Sequence, residues 1–257
     1  MNPRSGVLIT IEGGDGCGKS TQAAILCERL VSCGLPVGPE SQPGEVVREP
    51  GGTPAGEALR DLLLHGPRMG AWTEALLYAA ARAELVEQVL LPSLQAGRVL
   101  VLDRYLDSSL AYQGFARGLG VDEVLAVNEP GLRGALPDLT LVLDVDPVVA
   151  LARSSGEADR IEAEGLALQQ RVAAGFAALA RRYPERVRLV DGFRDVGLVA
   201  MDVEAAALEA IEEKLRRNTR LVLDEVKEKH VLPREAAIGI ATRRVRRAIG
   251  FKRWGLY

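Results

Sequence analysis

The run Gly13-Gly14-Asp15-Gly16-Cys17-Gly18-Lys19-Ser20 follows the apolar stretch Val7-Leu8-Ile9-Thr10-Ile11 and precedes a helix-like segment, and no other feature of the chain restricts its fold as tightly. Closely spaced glycines let successive backbone N–H groups turn inward around a phosphate. Lys19 adds a mobile positive charge toward the outer phosphate oxygens, and Ser20 offers a hydroxyl to Mg²⁺. A loop of this spacing between strand and helix predicts a nucleoside triphosphate site formed by Gly13, Gly14, Asp15, Gly16, Cys17, Gly18, Lys19, Ser20 and Thr21.

The rest of the chain supplies the sheet that such a loop needs. Apolar runs at residues 7–11, 46–47, 99–102, 139–145 and 187–190 are too short for helices and mostly lack alternation, as expected of strands buried on both faces. Helical stretches lie between and after them at 20–33, 53–64, 73–95, 162–182 and 202–217, the second with Thr53 as N-cap and Pro54 in its first turn. Alternation of this kind predicts a parallel sheet with helices on both faces and a ligand crevice at the C-terminal ends of the strands. The Gly- and Pro-containing residues 34–44 read as a surface loop.

Composition narrows the class further. With 257 residues, 47% of them apolar, the chain can bury a full core, and a net charge of −3 gives no general attraction to nucleic acid. Cys17, Cys27 and Cys33 lack metal-ligand spacing, and with only His65 and His230 beside them a zinc site is not expected. No apolar run approaches the roughly 20 residues of a membrane helix, and the first strand begins too early for a signal peptide. The chain therefore reads as cytoplasmic, with reduced thiols and no membrane partner.

Three further clusters fall at predicted strand ends or on one helix face. Arg48-Glu49-Pro50-Gly51-Gly52-Thr53 closes the second strand, and Asp103-Arg104-Tyr105 closes the third, with Ser108, Ser109 and Ala111-Tyr112-Gln113-Gly114 behind it. Tyr78 and Arg82 are four residues apart on one helix face, a rise of about 6 Å that suits an aromatic platform and a phosphate fork for a mononucleotide. Tyr78 alone reads as a core residue. With Arg48, Arg82 and Arg104 directed to one crevice, it reads as part of a site.

Over roughly residues 5–215 the chain resembles the thymidylate kinases. The resemblance rests on Asp15 to Gln22 of the loop, REPGGT at 48–53, AAAR ending at Arg82, DRY at 103–105, AYQG at 111–114, PDLT at 137–140 and Asp159-Arg160-Ile161-Glu162. It implies a P-loop nucleoside-monophosphate-kinase-like fold, a five-stranded parallel sheet flanked by helices, and transfer of the ATP γ-phosphoryl group to dTMP by a homodimer. It also implies that Asp15 accepts the 3′-hydroxyl and that Arg48, Arg82 and Arg104 surround the dTMP phosphate. By the same likeness Tyr78 stacks on the base, Ser109 and Gln113 lie at its edge, and Tyr112 crowds the sugar 2′ position. Asp103, with Ser20, would help hold Mg²⁺. A phosphate monoester with second pKa near 6 needs no general base, only cations in a water-poor crevice.

Two positions depart from the family pattern. The loop's variable positions hold no arginine, so the γ-phosphate cation is expected from the lid at 151–160, yet Ser155 stands where an arginine before Gly156 is usual. Arg153 and Arg160 are the remaining candidates. Arg153 is the favoured mobile one, because Asp159 beside Arg160 suggests a structural tie. Cys17 reads as a small-residue substitution, with a reactive loop thiol as the other reading.

Residues 218–257 lie beyond the resemblance and are expected to form a helical, basic C-terminal extension to a kinase domain at 1–217. Two helices, at 219–230 and 234–249, are separated by Leu232-Pro233. From Arg243 onward the chain holds Arg243, Arg244, Arg246, Arg247, Lys252 and Arg253 without an acidic residue, with Phe251, Trp254 and Tyr257 as docking anchors. The leading reading is a helix pair packed on the kinase or a second subunit with its basic residues solvated. A nucleic-acid or acidic-partner contact is the alternative. A P-loop binding module that has lost phosphoryl transfer is a further possibility for the whole chain, opposed by intact Lys19, Ser20, Asp103 and Arg104.

Overall fold

The computed structural model describes residues 5–153, 159–240 and Thr242. Five strands, β1 (Val7–Glu12), β2 (Val47–Arg48), β3 (Val99–Asp103), β4 (Leu139–Asp144) and β5 (Val187–Asp191), pair in parallel in the order β2-β3-β1-β4-β5. The chain builds to one side of β1 and then returns to build on the other, so the carboxyl ends of β3, β1 and β4 frame a topological switch point. The phosphate loop leaves β1 there.

Each central strand is apolar on both sides because each face of the sheet is covered. Leu8, Leu100, Leu102 and Val142 point into one core with Leu85, Leu110, Val172 and Phe176. Val7, Ile9, Ile11, Val101 and Leu141 point into the other with Leu26, Leu30, Val203 and Ile211. The helices that provide this cover are α1 (Lys19–Ser32), α2 (Pro54–His65), α3 (Ala71–Leu85), α4 (Leu91–Gln95), α5 (Leu106–Ser109), α6 (Val121–Leu132), α7 (Pro147–Arg153), α8 (Leu166–Arg182) and α9 (Val196–Lys229). Thr53 caps α2 as expected, its hydroxyl accepting from the Gly56 N–H at 3.0 Å.

Several elements differ from the sequence reading. The segment expected as one helix over 73–95 widens into a π turn at Val86–Leu90 between α3 and α4, where Pro92 has no N–H to return to the preceding turn. The helix expected from 162 begins as a short 3₁₀ turn, Glu162–Glu164. Gly165, at φ 78°, breaks it before α8. The sequence reading did not anticipate α6 and α7. Pro130 inside α6 and the brevity of α7 blur their periodicity. The helices expected at 202–217 and 219–230 are one, α9, which runs unbroken from the Asp195 cap to His230 in the left-handed conformation. Asn218 there ties the helix to the N-terminal segment by donating to the Ser5 carbonyl at 3.4 Å. A further helical stretch spans 233–240. No helix among the described residues is long and apolar enough to cross a membrane.

Candidate active site

Gly13 turns the chain out of β1 at φ 136°, and a Cβ there would lie 2.8 Å from the Leu143 carbonyl oxygen, so only glycine fits. Gly18, at φ 92°, opens α1 and leaves its first N–H groups directed at the loop. Lys19 is almost fully buried and spans the loop, donating to the Gly14 carbonyl at 2.6 Å. Cys17 is also buried and belongs to the core beneath the loop, 3.7 Å from the Lys19 Nζ, which agrees with its reading as a small packing residue. Ser20 and Thr21 are exposed in the first turn of α1. The Ser20 hydroxyl donates to Asp103 Oδ2 across the gap between α1 and the end of β3.

That hydroxyl–carboxylate pair is the chemistry expected for Mg²⁺. The ion prefers hard oxygen donors, takes few of them from protein, and completes its shell with water and substrate phosphates. Among the described residues there is no group of three or more His, Cys, Asp or Glu that could hold a metal ion.

Opposite the loop stands Arg104, whose backbone is left-handed at φ 68°. Two hydrogen bonds hold this unfavourable turn: the Arg104 N–H donates to the Ile11 carbonyl at 3.1 Å, and the Tyr105 N–H donates to Glu12 Oε1 at 2.8 Å. The guanidinium reaches Asp15, the Gly13 carbonyl (3.0 Å) and the Ser108 hydroxyl (3.2 Å), and lies 5.3 Å from the centre of the Tyr112 ring. Asp15 also accepts from the Tyr112 hydroxyl at 3.1 Å and from Gln169 Nε2 at 2.7 Å. Burial alone would raise the Asp15 carboxyl. The charges of Arg104 and Lys19, with the Tyr112 and Gln169 hydrogen bonds, hold it below the usual carboxylate range. Glu12 behaves oppositely: burial, then the neighbouring charge of Asp107, push it up to about 8, against the opposing pull of Ser108, Arg104 and the Tyr105 N–H.

Arg82 is sealed, 1% exposed. Its Nε and Nη2 fork onto Glu49, Nη2 also donates to Ser109 Oγ at 2.8 Å and lies 3.3 Å from the Tyr105 carbonyl, and Nη1 donates to Asn128. Of five guanidinium N–H groups, one on Nη1 is left for a ligand among the described residues. Gln113 donates through Nε2 to Glu74 Oε1 at 2.8 Å.

These residues line a crevice of about 350 Å³, the size of a small-ligand site. It is lined by Asp15, Gly16, Lys19, Ser20, Arg48, Tyr78, Arg82, Asp103, Arg104, Ser109, Tyr112 and Gln113, all singled out from the sequence. Arg48 is half-exposed, 3.5 Å from Glu57. The lining also includes Arg60 and Glu49, to which the sequence reading gave no role, and Asp159, whose Oδ1 accepts from the Ile161 and Glu162 N–H groups at 2.8 and 2.9 Å. Arg60 was recoverable as the one cation on the inner face of α2. Nothing local to Glu12, Glu74 or Gln169 announces them, because their partners are 93, 43 and 154 residues away.

The two lid arginines do not line the crevice. Arg160 is tied down, its Nε donating to the Leu63 carbonyl and its Nη2 to Glu74 Oε2, each at 2.8 Å. Arg153 is exposed at the end of α7, 5.9 Å from the centre of the exposed Phe193 ring. Ser155 and Gly156 of the lid, the basic residues from Arg243 to Arg253, and Phe251, Trp254 and Tyr257 lie outside the described residues.

A family model described as thymidylate kinase matches residues 11–203. Thymidylate kinase of Pelotomaculum thermopropionicum is 47% identical over 221 residues, 84% of this chain and 99% of the relative. That of Caldanaerobacter subterraneus subsp. tengcongensis is 41% identical over 213 residues, covering 82% and 97%. That of Symbiobacterium thermophilum is 44% identical over 213 residues, covering 82% and 96%.

Proposed function

The chain belongs to the thymidylate kinase family, and from that premise we propose that it transfers the γ-phosphoryl group of ATP to dTMP, giving dTDP, as a cytoplasmic homodimer. The observation that supports this most directly is the crevice itself: a phosphate loop with Lys19 and the Ser20–Asp103 pair faces Arg48, Arg60 and Arg104 across a space of mononucleotide size. Two polyanions can meet there because cations line the gap. The acceptor is already mostly dianionic near neutral pH, so no residue has to remove a proton from it.

In this reading the loop N–H groups and Lys19 receive the donor phosphates, and Ser20 with Asp103 would hold Mg²⁺, which would supply positive charge against the negative charge of the transferring phosphates. Arg48 and Arg104 take the dTMP phosphate. Arg104 arrives pre-aimed, because its left-handed turn is fixed from below by Glu12 and Ile11. Asp15, held ionised, accepts the 3′-hydroxyl. Tyr78 supports the base and Tyr112 crowds the 2′ position. We move Arg82 from the phosphate to the base: one free N–H on a guanidinium already neutralised by Glu49 suits a neutral carbonyl oxygen better than a dianion.

Arg160's ties to α2 and Glu74 leave Arg153 as the lid cation that meets the transferred group when the segment closes. Replacement of Arg153 by Ala should then lower kcat by about 10²–10⁴-fold with KM for dTMP nearly unchanged. A raised KM for ATP at normal kcat would instead give Arg153 and Phe193 to donor binding. Residues 1–217 form the phosphoryl-transfer unit in this proposal and 218–257 a helical extension, since every lining residue lies between 15 and 162.

A coupled assay of ADP release with dTMP, dUMP, UMP, dCMP, dGMP and AMP tests the activity. Best turnover on dTMP is expected. Best turnover on AMP or dGMP, or none with any acceptor, sinks the proposal.

A further inference from the structure

The carboxylate of Glu74 is buried at the start of α3 and makes no contact with the phosphate-binding groups, yet it gathers three side chains from two other parts of the chain, residues 113–117 and Arg160. Its Oε1 accepts from Gln113 Nε2 at 2.8 Å and Arg117 Nε at 2.5 Å. Its Oε2 accepts from Arg117 Nη2 at 3.0 Å and Arg160 Nη2 at 2.8 Å. Arg117 is itself fixed on its other edge by Glu164, at 2.6 and 3.0 Å. Two guanidinium groups thus hold both carboxylate oxygens in place, and what they hold is an acceptor facing Gln113.

A side-chain amide has a donor end and an acceptor end of nearly the same size, and a half-turn exchanges them. Against Glu74 the exchange is forbidden: the Gln113 carbonyl oxygen would meet a carboxylate oxygen in a buried site, with no hydrogen between them. The NH₂ end must therefore face Glu74. That leaves Gln113 Oε1, which accepts from no described residue, as the polar atom the amide can offer to the crevice it lines. In the same lining, the remaining N–H of Arg82 offers a donor. A donor and an acceptor together match a pyrimidine carrying a 4-carbonyl and a 3-N–H. A 4-amino pyrimidine presents the reverse pattern and leaves both protein groups unpaired.

From this geometry we infer that Glu74 is a positioning residue for base discrimination: it locks the amide of Gln113 so that the site accepts thymine-type and rejects cytosine-type nucleotides. The inference rests on dTMP being the acceptor. It adds a residue that never touches the nucleotide and through which Arg117 and Arg160 share the same anchor. Without Glu74 the Gln113 amide can turn, and its NH₂ end can pair with the N3 of a cytosine.

The test is kcat/KM for dTMP and for dCMP on the full chain, comparing the unaltered protein with Glu74→Gln and Glu74→Asp. The neutral amide of Glu74→Gln can pair with either end of Gln113, so the dTMP/dCMP ratio should fall by at least about tenfold, through KM more than kcat. Glu74→Asp keeps an acceptor on both oxygens and should retain most of the ratio. Equal losses on both acceptors in Glu74→Gln, with the ratio within about twofold of its starting value, would reduce Glu74 to a fold residue. Should Glu74→Gln not fold, competition binding to the unaltered protein decides: 5-methyl-dCMP, which differs from dTMP only at positions 3 and 4, should bind at least about 100-fold more weakly than dTMP, and equal binding overturns the inference. Failure of the unaltered protein to turn over dTMP at all would fall on the proposed function instead. A dTMP-specific enzyme whose ratio ignores Glu74→Gln would fall on Glu74 alone.

Discussion

Arg82 and Arg104 line one crevice, and the protein treats them differently. Arg82 is sealed, forked onto Glu49, and further bound by Asn128 and Ser109. Arg104 is about one-fifth exposed, shares its one close carboxylate, Asp15, with Tyr112 and Gln169, and has Lys19, Arg48 and Arg60 as fellow cations around the open space. Arg82 is charge-matched before any ligand arrives. Around Arg104, neither Lys19 nor Arg60 has a carboxylate within ion-pair distance among the described residues, which suits a dianion that brings its own charge. A neutral base is read by fixed donors and acceptors, whereas a phosphate is attracted by charge left uncompensated.

If the contrast is real, removing the two arginines should break different properties. Arg82→Met strands Glu49, whose carboxyl burial already pushes upward against the pull of Arg82. Breaking a buried pair from one side costs about 3–5 kcal/mol, so denaturant unfolding should show a loss of that order. A loss under about 1 kcal/mol would mean that the surroundings of Arg82 are not the rigid lattice described here.

Arg104→Met should do the reverse. Its contribution is to charge that the ligands bring, so kcat/KM for dTMP should fall at least about a hundredfold, equivalent to about 2.7 kcal/mol of transition-state stabilisation. Stability should change by less than that. A variant that unfolds like Arg82→Met while keeping its kinetics would erase the distinction between the two arginines.

Glu12 sharpens the comparison from beneath Arg104, where it holds the turn that aims the guanidinium. Its folded-state value near 8 lies above its ordinary 4.5, so between these values the native state keeps a proton that the unfolded chain has lost. Stability from this group is therefore full at low pH and declines as pH rises toward 8, at about 1.4 kcal/mol per unit. Glu12→Gln, which keeps an acceptor for the Tyr105 N–H, removes that slope. Between about pH 6 and 7.5 the stability difference between variant and unaltered protein should move by about 2 kcal/mol in favour of the variant. Parallel pH profiles would show that Glu12 titrates like a surface carboxyl.

How much of this was legible in the sequence follows from the distance between partners. The loop and its strand were readable because the glycines, Lys19 and Ser20 fall within one eight-residue spacing, and buried parallel strands announce themselves as short apolar runs. Arg48 and Arg104 were readable because motifs place them at strand ends, and Arg82 because it lies one helical turn from Tyr78, whereas Arg60 belongs to no such pattern. The groups that decide what each arginine can do were not: Glu49 neutralises Arg82 from 33 residues away, and Glu12 supports the Arg104 turn from the next strand of the sheet. The same limit explains the tail, where Arg216-Arg217-Asn218-Thr219 was read as a break although it holds no residue that stops a helix, and α9 runs straight through.

The smallest expected effect tests Tyr112, which lines the same crevice and packs on Arg104. Its hydroxyl is bound to Asp15, the group proposed for the 3′-hydroxyl, so the hydrogen bond that orients Asp15 also fixes the ring, which in the proposed reading lies beside the sugar. A 2′-hydroxyl would have to displace that ring, and a gate of this kind works by penalising the wrong ligand. Tyr112→Ala removes the obstruction along with the hydrogen bond, so activity on dTMP and on its ribonucleotide analogue both change. The ratio of their kcat/KM values isolates the gate, because any general loss of fold or of Asp15 orientation divides out. That ratio should fall by about tenfold, or about 1.4 kcal/mol. Tyr112→Phe keeps the ring and should keep the ratio, losing only what the hydroxyl gives Asp15. An unchanged ratio in Tyr112→Ala would move sugar discrimination away from Tyr112, whereas a ratio that falls equally in Tyr112→Phe would assign it to the hydroxyl bond on Asp15 and not to the bulk of the ring.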